Sequence, residues 1–580
     1  MAASAPWDAG GLTLAWDPGG QTLGPRASSP PSRRAGRMPA VPGAAASPHA
    51  DAPAPPLTPP RRLPILARVT ASPTPAPAAP PGRLFEPIDL RGLVVPNRVV
   101  LTAMVTRLSG EDGFVNAPIV ERYARFAAGE AGLIVVEATA VHDARSGPLL
   151  RLGDDRFVPG HRALVDAVHA AGPSKVALQI IHFLKVARSG WRQTVDMLSA
   201  AELRGIVDAY AAAAARTRAA GYDAVELHMA HAYTLSSFLS RLNRRHDAYG
   251  GRSLEGRMRL MTEVILAVRR AVGDDYPVGV RFDGEECVKG GYGLAESTSI
   301  ALRMAQLGVD YLSISAGGKF EDAVHKPGEP PYPYTGYSGD RTMPAAQYPD
   351  GANVYLAAGI RAFVRAHGFA TPVVAAGKIP TPALAARILE AGEADMIGLA
   401  RALLADPDWP AKARAGQADR IVRCVYGNVC KALDENFRQV RCVLWPKDVA
   451  HAPRAHPDDV DPPMWPTDGA LGAELRPGGQ VALAWERAED PFGVYGYQVF
   501  RRVNDGPFAH LTSVTTPRHV DAFALAGNRY AYHVRAYDFA GLRSAPSRAV
   551  EVAVPAEYAL GDGVDLALAV GESAESGERV

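Results

Sequence analysis

The sequence has little cysteine, no long apolar run and almost no net charge. Four cysteines among 580 residues exclude a disulfide scaffold and suit a reducing cytoplasm, where we expect the protein to reside. The chain has no run of 18 apolar residues and no charged segment followed by an apolar one at its start, so neither a transmembrane helix nor a standard secretion signal is predicted. The chain has 62 basic and 61 acidic residues and a net charge of +1, so it lacks the excess of positive charge that is typical of proteins that bind nucleic acid or a membrane surface.

Both ends of the chain lack the apolar content of a folded domain. Residues 1–82 contain 19 of the 49 prolines, with Ala, Ser and Arg filling much of the rest, so we predict a disordered Pro/Ala-rich leader. An organelle transit peptide and a wrongly chosen start codon remain open as explanations of this leader. Residues 557–580 are rich in Gly, Ala, Glu and Ser and are predicted to form a flexible tail.

Between residues 84 and 400, eight short apolar runs alternate with longer segments of helical periodicity. The runs are 99–104, 133–140, 176–181, 224–229, 278–282, 311–316, 373–377 and 395–399. Near-continuous apolar runs indicate strands buried on both faces of a parallel sheet. Ser199 and Glu202 have the spacing of a helix capping box, and Thr381-Pro382 is typical of a helix start. We therefore predict a (β/α)8 TIM barrel over residues 83–447. A doubly wound sheet is the alternative, but no G-x-G-x-x-G motif follows any run.

The chain changes character after the predicted barrel. Residues 448–474 are rich in Pro and Asp and are predicted to be a linker. Segments that alternate between apolar and polar residues follow, at 481–485, 495–501, 530–536 and 549–554. Because short alternating segments with turn residues between them indicate antiparallel strands, residues 475–556 are predicted to form a small all-β sandwich.

The clearest group of candidate functional residues follows the fourth apolar run. His228, His231 and Tyr233 lie within six residues, at the end of a predicted strand where barrels place their active sites. Histidine can donate a hydrogen bond to a carbonyl oxygen and tyrosine can deliver a proton, so we expect all three to converge on one small ligand. The alternative is that the two histidines are buried structural residues. A half zinc site is also conceivable, but no obvious third ligand accompanies the pair.

Polar residues mark the ends of four other runs. Gln179 and Arg281 lie in runs that otherwise resemble core, so each needs either an internal partner or a bound cofactor. Gly377-Lys378 and Arg401 follow the seventh and eighth runs, where these barrels usually bind phosphate. An ordinary barrel surface is the alternative for this last group.

Three cysteines follow the last of the eight apolar runs. The spacing of Cys424, Cys430 and Cys442 is compatible with part of an iron–sulfur or zinc site. Four ligands are needed and three are present, with Gly427 midway between the first two. Buried thiols are therefore the favoured interpretation, and no metal site is predicted.

Several motifs occur together along the predicted barrel. They are Leu84-Phe-Glu-Pro87, Pro96-Asn-Arg98, Glu137-Ala-Thr139, Leu178-Gln179, His228-x-x-His231-x-Tyr233, Asn243-Arg-Arg-x-Asp247-x-Tyr-Gly-Gly251, Val280-Arg281 and Arg401-Ala-Leu-Leu-Ala-Asp-Pro407. With these motifs, residues 84–447 resemble the FMN-dependent Old Yellow Enzyme family, nearest its bacterial NADH:flavin oxidoreductase and 2,4-dienoyl-CoA reductase branch.

The resemblance implies that FMN lies across the carboxyl ends of the strands, with NADH or NADPH as the hydride donor. It implies roles for three sets of cofactor-binding residues, which are Ala103, Met104 and Ala138 beside the isoalloxazine, Gln179 and Arg281 at its pyrimidine edge, and Gly377, Lys378 and Arg401 at the phosphate. His228 and His231 would hold the carbonyl oxygen of an electron-poor alkene, and Tyr233 would protonate its α-carbon. The alternatives are an FMN-dependent amine dehydrogenase, or a non-catalytic barrel scaffold with a partner-binding sandwich.

Four features depart from the family pattern. Val105 replaces the usual Thr or Cys beside the flavin, and Ala400 replaces a common Gly beside the phosphate. Residues 182–197 do not resemble the usual loop, which puts substrate preference in doubt. Gly427 removes one cysteine of the relatives that carry a cluster, and their second nucleotide-binding region is absent, so a direct shuttle from NAD(P)H through FMN to substrate is expected.

The C-terminal segment resembles a fibronectin type III domain. The resemblance rests on Trp485, Tyr495, Tyr497, Tyr530, Tyr532 and the pattern Tyr537-Asp-x-x-Gly541-x-x-Ser544-x-x-Ser547. These aromatic residues are expected in its core, and the domain is expected to serve in docking, in a dimer contact or in packing on the barrel. The expected partner of the whole protein is a small-molecule substrate, and a homo-oligomer is possible.

Overall fold

The computed structural model describes residues 82–144, 147–186, 191–321, 333–446, 449, 452, 458–476 and 479–556. Residues 1–81 of the predicted leader and the predicted tail at 557–580 lie outside the described residues. In the part of the chain that is described, we find no helix with both the length and the apolar character needed to cross a membrane.

Eight parallel strands close into a barrel. They are β1 (Val99–Leu101), β2 (Leu133–Ala140), β3 (Lys175–Ile181), β4 (Ala224–Met229), β5 (Val278–Asp283), β6 (Tyr311–Ser315), β7 (Val373–Ala376) and β8 (Met396–Leu399). Each strand pairs with the next, and β8 pairs back with β1 through Ile397 and Val99. Every strand falls on one of the eight apolar runs, which confirms the predicted TIM barrel. The runs identified the strands because a barrel strand is buried on both faces, as β2 is at all eight positions.

Helices surround the barrel. The described residues include α1 (Ala117–Ala128), α2 (Val158–Ala171), α3 (Ala200–Ala219), α4 (Thr234–Leu239), α5 (Leu254–Val272), α6 (Leu294–Gln306), α7 (Gly336–Thr342), α8 (Val354–Ala366), α9 (Pro382–Glu390), α10 (Arg401–Ala405), α11 (Trp409–Arg414) and α12 (Val429–Glu435). Short 3-10 turns occupy Gly82–Phe85, Asp155–Phe157, Val195–Met197 and Ala418–Arg420. The predicted capping box is present at the start of α3, where Ser199 and Glu202 bond each other's backbone N–H groups.

One end of the barrel is closed by apolar side chains. A hairpin, Ile88–Leu90 paired with Leu93–Val95, packs its Leu90 and Val95 against residues at the amino ends of the strands. Those residues include Val100, Leu133 and Ala224. Because this end is filled, a ligand can enter the barrel only at the carboxyl ends of the strands, where the polar residues lie.

Seven antiparallel strands form the C-terminal part. They are β9 (Leu471–Leu475), β10 (Val481–Trp485), β11 (Val494–Val503), β12 (Ala509–Val514), β13 (Arg518–Asp521), β14 (Arg529–Asp538) and β15 (Val550–Ala553). Their order is β9-β10-β13 in one sheet and β12-β11-β14-β15 in the other. The two sheets share one core, in which Trp485, Tyr497 and Tyr532 are buried. This confirms the predicted all-β fold, and the resemblance to fibronectin type III stays a prediction.

The first strand of this part begins earlier than expected. Residues 471–474 of β9 lie in the interval 448–474 predicted as linker, and Trp465 in the same interval stacks on Tyr497 with ring centroids 6.2 Å apart. β9 escaped prediction because it is a five-residue strand at the edge of its sheet, and none of its residues is fully buried. β12 and β13 escaped for the same reason, since most of their residues are not fully buried.

The two folded parts touch through a shared apolar cluster. Leu404, Val422 and Cys442 from the barrel side pack with Tyr495 and Tyr537 of the sandwich. The contact is close, because a Cβ added to Gly541 would lie 2.3 Å from the carbonyl oxygen of Arg420. The sandwich therefore packs directly on residues that follow the last barrel strand.

Candidate active site

A single cavity at the carboxyl ends of the strands contains every predicted site residue. Its lining includes Ala103, Met104, Ala138, Gln179, His228, His231, Tyr233, Arg281, Gly377, Lys378 and Arg401. These residues come from β2, β3, β4 and β5 and from the loops after β1, β4, β7 and β8. The barrel brings them together because parallel strands place all their carboxyl ends at one rim. The roles of these residues stay predictions.

The two histidines form a contacting, uncharged pair. His228 is in β4, and the nearest ring nitrogens, Nε2 of His228 and Nδ1 of His231, lie 3.3 Å apart. Burial, and then the charge of Arg281, lowers the pKa of His228 to about 3. Burial likewise holds the pKa of His231 well below its usual value. Both imidazoles are therefore neutral at neutral pH.

Neighbouring contacts decide which ring nitrogens carry protons. The backbone N–H of Ala230 donates to Nδ1 of His228 at 3.1 Å, so the proton of that ring is on Nε2. Nε2 of His231 lies 2.7 Å from Oγ of Ser315, and Nη2 of Arg281 donates to that oxygen at 3.3 Å. A hydroxyl that accepts from Arg281 can donate its own proton to Nε2 of His231, and in that tautomer the proton of His231 is on Nδ1. Two N–H donors can then point at one acceptor atom.

The histidine pair is not completed into a metal site. Among the described residues, no third ligating side chain lies close enough to form a metal-binding group with His228 and His231. The neutral rings instead bond to Ser315 and to the backbone of Ala230. The arrangement fits hydrogen-bond donors better than zinc ligands.

Two tyrosines and a lysine stand beside the histidines. The ring of Tyr233 meets the ring of His228 edge-on, with centroids 5.1 Å apart. Tyr334 donates its hydroxyl proton to the hydroxyl oxygen of Tyr233 at 3.3 Å. The ammonium group of Lys319 lies 4.6 Å from the ring centroid of Tyr334 and 5.8 Å from that of Tyr233.

Sequence reasoning missed Tyr334, Lys319 and Ser315. Tyr334 lies in a loop with no periodic pattern, so no signal in the sequence points to it. Ser315 did leave a signal, because it alternates with Ser313 in an otherwise apolar strand, and alternate residues share one face of a strand. Two hydroxyls on that face indicate a polar lining.

Gln179 and Arg281 lie on adjacent sides of the cavity. Gln179 donates from Nε2 to Glu226 at 2.6 Å, and Arg281 makes hydrogen bonds of 3.3 Å to Ser313 and Ser315. Burial lowers the pKa of Arg281, although Glu226 and Asp283 raise it. No carboxylate forms an ion pair with Arg281 among the described residues, so the internal ion pair considered from the sequence is not found. The guanidinium keeps donors for a ligand.

The opposite end of the cavity has the donors of an anion site. Gly377 has φ of 115°, and an added Cβ would lie 2.8 Å from Cβ of Asn353, so glycine is required. Within the described residues, the backbone N–H groups of Gly377, Lys378 and Ala400 have no hydrogen-bond acceptor. Arg401, which is 8% exposed, donates to Asn428 at 2.5 Å and forms no ion pair there.

Lys378 contributes differently from what its charge suggests. Its ammonium donates to the carbonyl oxygens of Ala346, at 2.9 Å, and of Tyr348, and lies 3.4 Å from Asp350. The side chain is therefore already engaged away from the backbone donors. The N–H of Lys378, rather than its ammonium, is available to an anion.

The three cysteines are packing groups in the structure. Cys442 is buried, and Cys424 and Cys430 lie against the same apolar cluster that joins the barrel to the sandwich. Burial raises the pKa of Cys424 to about 11 and raises those of the other two thiols. Free thiols in this state are protonated at neutral pH. Whether they hold a ligand stays a prediction.

Comparisons with known proteins agree with this geometry. The family described as NADH:flavin oxidoreductase / NADH oxidase matches residues 83–420. The NADH oxidase of Thermoanaerobacter brockii is 33% identical, over 60% of this chain and 53% of that protein. The NADPH dehydrogenase of Halalkalibacterium halodurans is 32% identical, over 57% of this chain and 94% of that protein. The chain thus spans about half of the first relative and nearly all of the second.

A solved structure extends the comparison. The histamine dehydrogenase from Rhizobium sp. 4-9 is 26% identical, with a TM-score of 0.53, and the match covers 67% of this chain and 56% of that chain.

Proposed function

Because the chain belongs to the NADH:flavin oxidoreductase / NADH oxidase family, the Old Yellow Enzyme group that its motifs indicate, we propose that it reduces an electron-poor alkene with FMN as cofactor. The alkene class is an α,β-unsaturated carbonyl compound, and the hydride donor is NADH or NADPH. The observation that carries the proposal is the pair of neutral histidines, with ring nitrogens 3.3 Å apart, beside the ring of Tyr233.

The cavity fits FMN by the chemistry of its donors. Arg281 and Arg401 are both 8% exposed, and neither is paired with a carboxylate within the described residues. A ligand that carries a phosphate at one end and carbonyl acceptors at the other supplies partners to both. Arg401 and the N–H groups of Gly377 and Lys378 would bind the phosphate, and Gln179 and Arg281 would donate to the ring edge. Ala103, Met104 and Ala138 would line the flat ring.

The hydride chemistry is the cofactor's, and the surrounding residues supply position and charge. His228 and His231 would bind the carbonyl oxygen of the substrate, each through one N–H. Negative charge builds on that oxygen as hydride adds to the β-carbon, and donors already directed at it stabilise the transition state. Since the pKa of His228 is about 3, it stays a neutral donor throughout the physiological range.

Tyr233 would deliver the proton that completes the reduction. Its ring contacts that of His228, and its hydroxyl accepts a hydrogen bond from Tyr334 at 3.3 Å. That bond leaves the proton of Tyr233 free to transfer to the α-carbon of the substrate. Tyr334 and Lys319 hold the position of the donor.

A second cavity gives the substrate room. It has a volume of about 1080 Å³ and shares Val105, Ala138 and Tyr233 with the cofactor cavity. Its remaining lining includes His182 and Phe183, from the segment that departs from the family pattern. The size of this cavity favours substrates larger than a simple enone.

Amine oxidation is the second candidate, and the similarity to histamine dehydrogenase favours it. The charge around the site argues against it. Arg281 adjoins the histidine pair through Ser315, and the ammonium of Lys319 lies 5.8 Å from the ring of Tyr233. These cations repel a protonated amine and attract a carbonyl oxygen. We therefore rank alkene reduction first.

A visible absorption spectrum of the purified protein, taken before and after anaerobic addition of NADH or NADPH, tests the proposal. We expect a flavin spectrum that bleaches with one of the two donors and recovers when an enone is added. A flavin that bleaches with an amine and ignores both nicotinamides would favour amine oxidation. A protein that binds no FMN, even on reconstitution, would favour the alternative in which the barrel is a non-catalytic scaffold.

A further inference from the structure

Three aspartates far apart in the chain meet at one edge of the sandwich. Asp459 precedes β9, Asp490 lies in the loop between β10 and β11, and Asp538 is the last residue of β14. One carboxylate oxygen from each lies within 4.8 Å of the others. Asp538 is 0% exposed and Asp459 is 7% exposed, so two of the three carboxylates are withdrawn from water.

In Asp490 and Asp538, one carboxylate oxygen accepts a hydrogen bond from the backbone and the other oxygen is available to a ligand. The N–H of Leu542 donates to Oδ1 of Asp538 at 2.8 Å, and the N–H of Phe492 donates to Oδ1 of Asp490 at 2.7 Å. The second oxygen of each, Oδ2, is buried and has no hydrogen-bond partner within the described residues. Backbone donors thus fix both carboxylates while one oxygen of each remains available to a ligand.

Buried acceptors of this kind need a donor or a cation. A buried charge is normally paired or bound to metal, and three carboxylates in contact repel one another. Asp490 and Asp538 form no ion pair with a described Lys, Arg or His side chain.

The carboxylate oxygens and their spacing are compatible with Ca²⁺ as the bound ion. Hard divalent cations prefer carboxylate oxygens, and Ca²⁺ binds them at about 2.3–2.6 Å in flexible geometry. Oxygens on opposite sides of one Ca²⁺ are up to about 5 Å apart, so three oxygens that all lie within 4.8 Å of one another can bind the same ion. Mg²⁺ needs shorter bonds, near-ideal octahedral geometry and several retained waters.

We propose that Asp459, Asp490 and Asp538 bind one Ca²⁺ ion. The ion ties the segment before β9 to the loop after β10 and to the end of β14. Tyr537, next to Asp538, packs in the cluster that joins the sandwich to the barrel, so the ion also supports that contact. No sequence motif marks the site, because its ligands come from three separate segments.

The test uses the full chain, freed of metal with EDTA and titrated with CaCl₂ by calorimetry. We expect one Ca²⁺ per chain and a rise of about 5 °C in the unfolding temperature of the sandwich at saturating Ca²⁺. Asp538→Asn and Asp490→Asn keep the oxygen that accepts the backbone N–H, and each should weaken Ca²⁺ binding at least about ten-fold.

Asp505→Asn is the matched control, because its carboxylate is on the same sandwich and its side chain is 95% exposed. Its Ca²⁺ affinity should equal that of the wild type. If Asp538→Asn does not fold, the conclusion is drawn from Asp490→Asn, because Asp490 is the least buried of the three ligands. Absence of binding at 10 mM Ca²⁺, tighter binding of Mg²⁺, or full retention of affinity by Asp490→Asn would each overturn the proposal. The flavin spectrum should be the same in all variants, so the outcome does not depend on the proposed oxidoreductase activity.

Discussion

His231 lies in the left-handed region of backbone conformation, with φ of 65°, and Ala232 follows with φ of 63°. Residues other than glycine adopt this region only when their surroundings hold them there. The N–H of His231 donates to Oδ2 of the buried Asp283 at 2.8 Å, which secures the turn. The turn folds His231 back against His228. At this scale the site depends on a strained turn after β4 that carboxylate and hydroxyl groups of β5 and β6 hold in place.

Ser315→Ala tests the control of the His231 tautomer. Without the hydroxyl, Nε2 of His231 loses its 2.7 Å partner, and Nδ1 no longer holds its proton toward the substrate. We expect enone turnover to fall about ten-fold, while FMN content and bleaching by the nicotinamide stay unchanged. Stopped-flow measurement of the two half-reactions separates these effects.

Ser313→Ala is the matched control, because Ser313 bonds Arg281 at 3.3 Å and does not contact His231. An equal loss of turnover in both variants would contradict the assigned proton on Nδ1.

Tyr233→Phe tests the proton donor. The ring and its packing on His228 remain, and only the hydroxyl is lost. We expect alkene reduction to slow by about 10²- to 10⁴-fold with no change in FMN binding. Tyr334→Phe leaves the donor and removes only its 3.3 Å hydrogen bond, so it should have a smaller effect. Deuterium incorporation at the α-carbon in D₂O provides the measurement, and unchanged incorporation rates in Tyr233→Phe would refute the role.

At the scale of elements, the loops after β7 and β8 decide where an anion can bind. β7 ends at Ala376, and Gly377 turns the chain with φ of 115° so that adjacent N–H groups remain unpaired within the described residues. α10 begins at Arg401, and the N–H groups of a first helical turn have no partner inside the helix. The backbone, more than the Lys378 ammonium, therefore forms this end of the cavity.

Gly377→Ala should weaken FMN binding at least about ten-fold. The added Cβ would lie 2.8 Å from Cβ of Asn353 in a conformation that alanine rarely adopts, so the loop must move. Gly368→Ala is the matched control, since Gly368 has φ of 85° with no atom within 4 Å of an added Cβ. Fluorescence titration of the apoprotein with FMN measures both. Equal affinities in the two variants would show that the loop after β7 does not bind the cofactor.

At the scale of the whole molecule, buried neutral histidines link stability to pH. His161 in α2 is 0% exposed, bonds the hydroxyl of Tyr222 at 2.8 Å, and has a pKa lowered by burial from 6.5 to about 4. A lowered histidine pKa means that the folded state disfavours the proton. The stability from this residue is therefore fully present above about pH 6.5 and is lost as pH falls toward 4.

His161→Gln should remove that dependence. Wild type should lose roughly 3 kcal/mol of unfolding free energy relative to the variant between pH 6.5 and 4, because each pKa unit corresponds to about 1.4 kcal/mol. Urea unfolding at several pH values measures the difference, in which the buried carboxyl groups common to both proteins cancel. Parallel curves for the two proteins would contradict the buried neutral state of His161.

The sequence by itself determined the barrel, its eight strands and the set of residues at their ends. It could do so because each of these features is local: an apolar run identifies a buried strand, and a polar residue at its end is visible without any partner. The sandwich was visible for a related reason, since β10, β11 and β14 alternate or carry buried aromatic residues along their length.

Only the tertiary structure decided which groups meet. Four arrangements join residues from separate segments. They are the hydrogen bond between Ser315 and His231, the contact of Tyr334 with Tyr233, the hydrogen bonds of the Lys378 ammonium and the group of three aspartates in the sandwich. β9 likewise became a strand only by pairing with β10. Burial and hydrogen bonding depend on distances between segments, and these distances exist only once the chain has folded.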